Sequence, residues 1–182
     1  TVAQIVLLMI TGMGIFDAAN HTFTTLATGG FSTRNTSIAR PESLGAEIVL
    51  IVFMVIAGSN FTVLLAFLKG RWKAALGDTE FRIYLLCLLG GTVFITAALV
   101  GHGEPLMLSN GTELAASGGE SLRAAAFTVV SQQTTTGYAT FDFDLWPFAA
   151  KAMIIALMVV GGSAGSTAGG IKVIRIWIAL KV

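Results

Sequence analysis

Two short stretches carry the residue types that hold a bare cation through backbone carbonyls. They are Thr28-Gly29-Gly30-Phe31-Ser32 and Thr135-Thr136-Gly137-Tyr138-Ala139. Rings of carbonyls in T-V-G-Y-G turns replace the water shell of potassium. In each stretch the threonine hydroxyl and the carbonyls that follow can face an ion. The central glycine, Gly30 or Gly137, is needed because carbonyls that alternate in direction require a dihedral that a side chain opposes. The aromatic, Phe31 or Tyr138, can pack backwards and hold the ring open. No carboxylate is required, so selectivity can rest on carbonyl geometry instead of net charge. The expected ion-binding residues are therefore Thr28, Gly29, Gly30, Phe31, Thr135, Thr136, Gly137 and Tyr138, with K+ as the metal at those positions only.

A third stretch could control passage. Residues 161–170, GGSAGSTAGG, hold five glycines in ten positions. Each interior glycine costs a helix roughly 1 kcal/mol relative to alanine, so a helix should break here. A small-residue loop at this depth would lie across the ion path as a gate built from Gly161, Gly162, Ser163, Gly165, Ser166, Thr167, Gly169 and Gly170. Lys172 and Arg175 follow and are placed for the cytoplasmic mouth or a partner. A phosphate-binding loop needs its lysine directly after the glycine, whereas Ile171 intervenes here. Close helix packing through small residues is the plainer alternative.

These stretches repeat. Sliding the chain by 107 residues lays Thr28 on Thr135, Gly30 on Gly137, Phe31 on Tyr138 and Thr33 on Thr140. With no gap, Ala57-Gly58-Ser59-Asn60 falls on Ala164-Gly165-Ser166-Thr167. The first of these has far less glycine, which predicts only a kink or packing site there. Each turn is preceded by a helix candidate of about half a bilayer. One is capped at Asp17 and the other at Glu120-Ser121. Each turn leads through a proline-bearing stretch to a long apolar segment. Non-helical backbone at membrane depth is tolerated only where protein buries it or it lines water. Both segments are thus candidate re-entrant pore loops.

Composition agrees with a bilayer. Hydrophobic residues are 54% of the 182, charged residues 12%, and mean hydropathy is +0.80. Soluble chains carry about 25% charge. That argues against an ordinary soluble enzyme, an acidic disordered protein and a basic nucleic-acid binder, so no nucleic acid is expected as a partner. The single cysteine, Cys87, precludes an internal disulfide. A span needs about 20 apolar residues, and residues 44–68 and 83–100 qualify. Residues 148–160 run apolar into the glycine break. The run from Val2 to Phe16 suggests the stub of another span, and both chain ends look cut from a longer polypeptide. Basic loops stay in the cytoplasm, so residues 69–82 are expected inside and 101–123 outside, with Arg34 and Arg40 in mild conflict. The expected fold is all-α integral membrane, half of a pseudo-fourfold bundle. It would consist of M1–P–M2 pore-loop repeats at 1–75 (M1 truncated) and 76–182 (second M2 broken by glycine).

Three segments, HTFTTLATGGFST, QTTTGYATFDFDLWPF and GGSAGSTAGGIKVIR, together resemble the Trk/Ktr/HKT superfamily of potassium transporters, most closely its bacterial TrkH-type membrane subunit. That resemblance implies four repeats around one pore, of which this chain looks like the second and third. It implies filter glycines at Gly30 and Gly137 and an intramembrane gating loop at 161–170. It also implies a homodimer in the bacterial inner membrane, bound to a cytoplasmic nucleotide-binding regulatory ring. The regulatory nucleotide, NAD(H) or ATP/ADP, would sit on that partner, leaving no cofactor on this chain.

Other residues have plainer roles. His21 suits a buried hydrogen bond better than a metal. His102 reads as external. Asp142 and Asp144 either concentrate cations at the outer mouth or are merely solvated. Lys151 is expected to snorkel, and Trp72 and Trp146 to anchor at interfaces. Asn20, Asn35, Asn60 and Asn110 begin N-x-S/T sequons, with Asn60 inside a span. No catalytic arrangement is present. The function expected is gated potassium uptake. The alternative is a cation-coupled potassium or sodium symporter working by alternating access.

Overall fold

The computed structural model describes residues 1–38 and 44–181. Arg40 and Pro41, which belong to the expected outer loop, lie outside them. The chain is helical. In order it forms α1 (Val2–Ile10), α2 (Ile15–Leu26), α3 (Leu44–Ala57), α4 (Phe61–Leu68), α5 (Trp72–Gly77), α6 (Thr79–His102), β1 (Leu106–Met107), β2 (Glu113–Leu114), α7 (Gly118–Gln133), α8 (Phe148–Val160) and α9 (Val173–Ala179). β1 and β2 pair antiparallel as a small hairpin. A single 3-10 turn, Phe143–Leu145, precedes α8.

α6 is the axis of the fold. Asp78 caps its start by accepting from the Phe81 N–H at 2.8 Å, and Gly103 ends it at φ +72. At 1.5 Å per residue its 24 residues span about 36 Å, enough to cross a bilayer. Tyr84, Leu88, Gly91, Ile95 and Leu99 are its buried stripe, spaced by three or four residues, and it packs on α7 and α8. The opposite face is also apolar but uncovered, with Leu86 73% and Leu89 68% exposed. A helix apolar all round belongs inside a large core or in lipid, and the bare face selects lipid. In lipid, apolar burial gives no drive for helices to associate, so close packing supplies it. Gly91 provides that closeness, since a Cβ there would stand 2.8 Å from Leu157 Cδ1.

The helices pack as two triplets, α1 with α2 and α3, and α6 with α7 and α8, joined where α3 meets α7. A buried charge pair fixes that joint. Arg123 on α7 donates from Nε to Glu47 Oε2 at 2.5 Å and from Nη2 to Oε1 at 2.8 Å. Glu47 is 2% exposed, on the first turn of α3.

The structure corrects several expectations. The segment 44–68 is not one continuous helix: α3 and α4 meet at 110° across residues 58–60. That is a break, not a kink, because the Asn60 side chain accepts from the Thr62 N–H at 2.8 Å and starts a new helix. Gly58 is also a packing site, where a Cβ would meet Tyr84 Oη at 2.6 Å. The first apolar run stops at Ile10, and Phe16 already belongs to α2. Asp17 and Glu120 lie in first turns instead of capping, and the caps are Gly14 and Ser117. α7 is therefore 16 residues, longer than half a span.

Breaking a buried ion pair by truncating one partner leaves the other charge stranded. Glu47→Ala should lower stability by about 3 kcal/mol, the low end for such a loss because Arg123 keeps some contact with solvent. The exchange of Glu47→Arg with Arg123→Glu should recover part of it. Thermal melting of the purified protein in detergent checks both.

Candidate ion-binding site

α2 and α7 end in the same turn. After α2, the N–H groups of Ala27, Thr28 and Gly29 donate to the carbonyls of Phe23, Thr25 and Thr24. After α7, those of Thr134, Thr135 and Thr136 donate to Val130, Gln132 and Ser131, each partner 107 residues on. The dihedrals match too. Thr28 and Thr135 have φ +50 and +56, and Gly30 and Gly137 have +64 and +85. The left-handed region is an outlier for a β-branched residue and costs on the order of 1–3 kcal/mol. The same strain at both equivalent positions marks a built feature. The negative ends of the α2 and α7 dipoles meet these turns, which favours a cation there.

The two turns abut. A Cβ on Gly30 would lie 1.9 Å from the Thr136 carbonyl oxygen, so only glycine fits. Gly137 faces open space. Tyr138 does pack backwards: it is fully buried, and its hydroxyl contacts Thr24 Oγ1 at 2.5 Å and donates to the His21 carbonyl at 3.1 Å, both on α2. Its own carbonyl accepts from Ser131 Oγ at 2.7 Å and so is tied to α7. Phe31 differs, being 77% exposed, because no helix among the described residues lies behind it as α2 lies behind Tyr138. His21 is buried beside the Tyr138 ring, centroids 6.0 Å apart. Among the described residues no group of three or more His, Cys, Asp or Glu side chains is placed to hold a metal.

Beyond the turns the chain is cross-tied. Ile38 N–H donates to the Ala139 carbonyl at 3.2 Å, and Ala139 N–H donates to Ser37 Oγ at 3.1 Å. The β1–β2 hairpin grips the segment after the second turn through Ser109 N–H to Thr140 O and Asp142 N–H to Met107 O. Asp142 and Asp144 line a shallow hollow of about 370 Å³ between the hairpin and that segment. Lys151 donates to the Asp144 carbonyl at 2.9 Å. Trp146 is 4% exposed, so it is a core residue and not an interfacial anchor. Trp72 is exposed and meets Phe67 edge-on.

The glycine-rich stretch forms the expected loop. α8 stops at Val160, and α9 begins at Val173. Its neck closes on backbone alone, since a Cβ on Gly170 would stand 2.6 Å from the Gly161 Cα. One side of the loop reaches the turns. Thr28 Oγ1 donates to the Thr167 carbonyl at 2.9 Å, and Gly169 N–H donates to Thr135 Oγ1 at 2.6 Å. The other side seats on the α3–α4 break, through Ser163 N–H to Gly58 O, Thr167 Oγ1 to Ala57 O and Phe61 N–H to Gly165 O. Lys172 turns back to the Ala168 carbonyl of the same loop, while Arg175 is exposed. The loop therefore lies between the paired turns and the end of α6 that adjoins the basic segment. The hairpin closes the opposite end.

Sequence reasoning missed two residues here. Glu80, read as part of a basic loop, is 7% exposed and accepts from the Ala164 N–H at 2.5 Å. Asn60, noted only as a sequon inside a span, caps α4 and donates to Glu80 at 3.4 Å. The available signal was an acidic residue one position inside a capped helix.

Comparison with known proteins gives the family of the chain. The family model TrkH, described as a cation transport protein, matches residues 9–182. The chain is 37% identical over 174 residues to the Trk system potassium uptake protein TrkH of Halomonas elongata, covering 95% of this chain and 34% of that one. It is 35% identical to TrkH of Escherichia coli K12, over 100% of this chain and 36% of that one. Its structure is similar to the crystal structure of the potassium transporter TrkH from Vibrio parahaemolyticus, with TM-score 0.86, 33% identity, and coverage of 98% and 37%. The chain thus spans about a third of the length of these relatives.

The Tyr138 hydroxyl ties the second turn to the helix of the first. Tyr138→Phe should cost about 1–2 kcal/mol, the usual loss for a buried hydrogen bond with partners left behind. Gly30→Ala should be far more disruptive than Gly137→Ala, since only the former meets backbone. Melting temperatures of the three variants, measured side by side, check the order.

Proposed function

The chain belongs to the TrkH family of cation transport proteins, and on that premise we propose that it forms half of a potassium-conducting pore. The observation that carries the reading is the pair of strained, hydrogen-bond-identical turns lying side by side at the C-terminal ends of two helices. Potassium sheds its water against carbonyls of Thr28, Gly29, Gly30 and Phe31 and of Thr135, Thr136, Gly137 and Tyr138. Residues 1–75 and 76–182 act as two M1–P–M2 repeats. In them α2 and α7 are the pore helices, α3 and α8 begin the inner helices, and α6 is the second outer helix. Two further repeats of the same polypeptide complete the ring, and Phe31 packs on one of them as Tyr138 packs on α2.

Residues 161–170 act as the gate. The loop hangs by hydrogen bonds that involve both turn threonines, so it occupies the path just inside the filter. The basic segment 69–82 faces the cytoplasm, which places the filter outward and the loop inward in a bacterial inner membrane. Lys172 stiffens the loop from within, and Arg175 is free to meet a cytoplasmic regulatory ring that carries the nucleotide. The assembly is a homodimer. Two turns on one face favour a single file of ions over alternating access.

The test uses the complete polypeptide that carries this sequence, in a host without its own potassium uptake. Wild type should restore growth at low external potassium. Gly137→Ser should reduce preference for potassium over sodium, because serine resists the φ of +85 that this position holds. Deletion of residues 162–169 should raise rubidium flux. Unchanged selectivity in Gly137→Ser would remove the filter assignment, and unchanged flux in the deletion would remove the gate.

A further inference from the structure

We propose that Glu80 is the positioning residue that latches the glycine-rich loop in its seat; this rests on the reading of that loop as the gate. Glu80 lies in the first turn of α6 and is 7% exposed. No cationic side chain pairs with it among the described residues. A carboxylate withdrawn from water must find donors, and Glu80 finds them on the two non-helical breaks. Oε1 takes the Ala164 N–H in the middle of the loop at 2.5 Å, and Oε2 takes Asn60 Nδ2 at the α3–α4 break at 3.4 Å. Asn60 cannot turn its amide round, because Oδ1 is committed to the Thr62 N–H at 2.8 Å. Two donors therefore face one carboxylate, and the anion joins the loop to the seat beneath it.

Hydrogen bonds to an ionised acceptor are roughly twice as strong as neutral ones. The bond to Ala164 is one that the loop must give up on leaving its seat. Among the described residues, no other bond that joins the loop to its neighbours, including those to Ala57, Gly58, Thr28 and Thr135, uses a charged group, and the Lys172 ammonium bonds only within the loop, to Ala168. Glutamine at position 80 has one oxygen and one NH2. It can satisfy either Ala164 or Asn60 and must oppose donor to donor at the other. The loop thereby loses its charged anchor with almost no change in side-chain volume.

Rubidium uptake through the complete polypeptide reads this directly. At equal membrane abundance, Glu80→Gln should raise the maximal rate about ten-fold, because the seat loses the charge assistance that roughly doubles the Ala164 bond and sets donor against donor at one of the two breaks, with the potassium KM unchanged. Ala164→Pro deletes the N–H and keeps the carboxylate. Position 164 precedes Gly165 at φ +67, where a turn accepts proline, so this variant should reproduce the effect. It decides the matter alone if Glu80→Gln fails to reach the membrane. In the background lacking residues 162–169, Glu80→Gln should add nothing. A rate at or below wild type in the intact background would overturn the latch, as would an equal further increase in the deleted one. If the deletion itself leaves flux unchanged, the gate reading has failed and the latch with it. If the deletion raises flux and Glu80→Gln does not, only the latch has failed.

Discussion

Hydrocarbon offers no hydrogen bonds, and this chain keeps two turns, a helix break and a glycine-rich loop of non-helical backbone among its helices. Every peptide group in those stretches needs a partner supplied by protein or by water in a pore. Much of the structure is a response to that requirement. The two turns use helix carbonyls of α2 and α7 for their N–H groups, and Ser131 for the Tyr138 carbonyl. The glycine-rich loop uses the opened ends of α3, which are free only because α3 breaks at Gly58. One break thus satisfies the other: carbonyls released at residues 57 and 58 are those that Thr167 and Ser163 occupy.

Glu47, Arg123 and Glu80 follow the same logic. Glu47 and Arg123 neutralise each other across the two helical triplets and spare the joint an unpaired charge. Glu80 meets backbone and amide donors instead of a cation. The first arrangement fixes helix against helix, and the second fixes loop against helix, so they hold parts with very different freedom to move.

Much of this was legible in the sequence. The turns, their 107-residue register and the glycine break were read from residue type and spacing, since glycine and threonine placement follows from local backbone demands. α8 was bounded correctly because Pro147 and Gly161 punctuate it. What escaped depends on contacts between distant residues. Glu47 and Arg123 are far apart in sequence, and no periodicity links them. Glu80 sits in a stretch whose average is basic, and only the fold turns it under the loop. Ser117 was hidden as a cap by the two glycines after it, which read as a continuing loop. Trp146 beside Pro147 has the look of an interfacial anchor, and only the fold buries it.

Thr28 and Thr135 deserve a last consideration as energetic elements. Glycine at either position would relieve the left-handed strain, but would also remove the hydroxyl that reaches Thr167 or Gly169. The same two residues therefore belong to the turns proposed to face the ion and to the seat of the loop. Thermodynamic linkage then runs in both directions. Whatever an occupying ion does to the shape of the turns alters the hold on the loop, and release of the loop alters the turns' affinity for the ion by the same factor. Under the proposed reading the transported ion is in that sense an effector of its own passage, with the two threonines as the coupling.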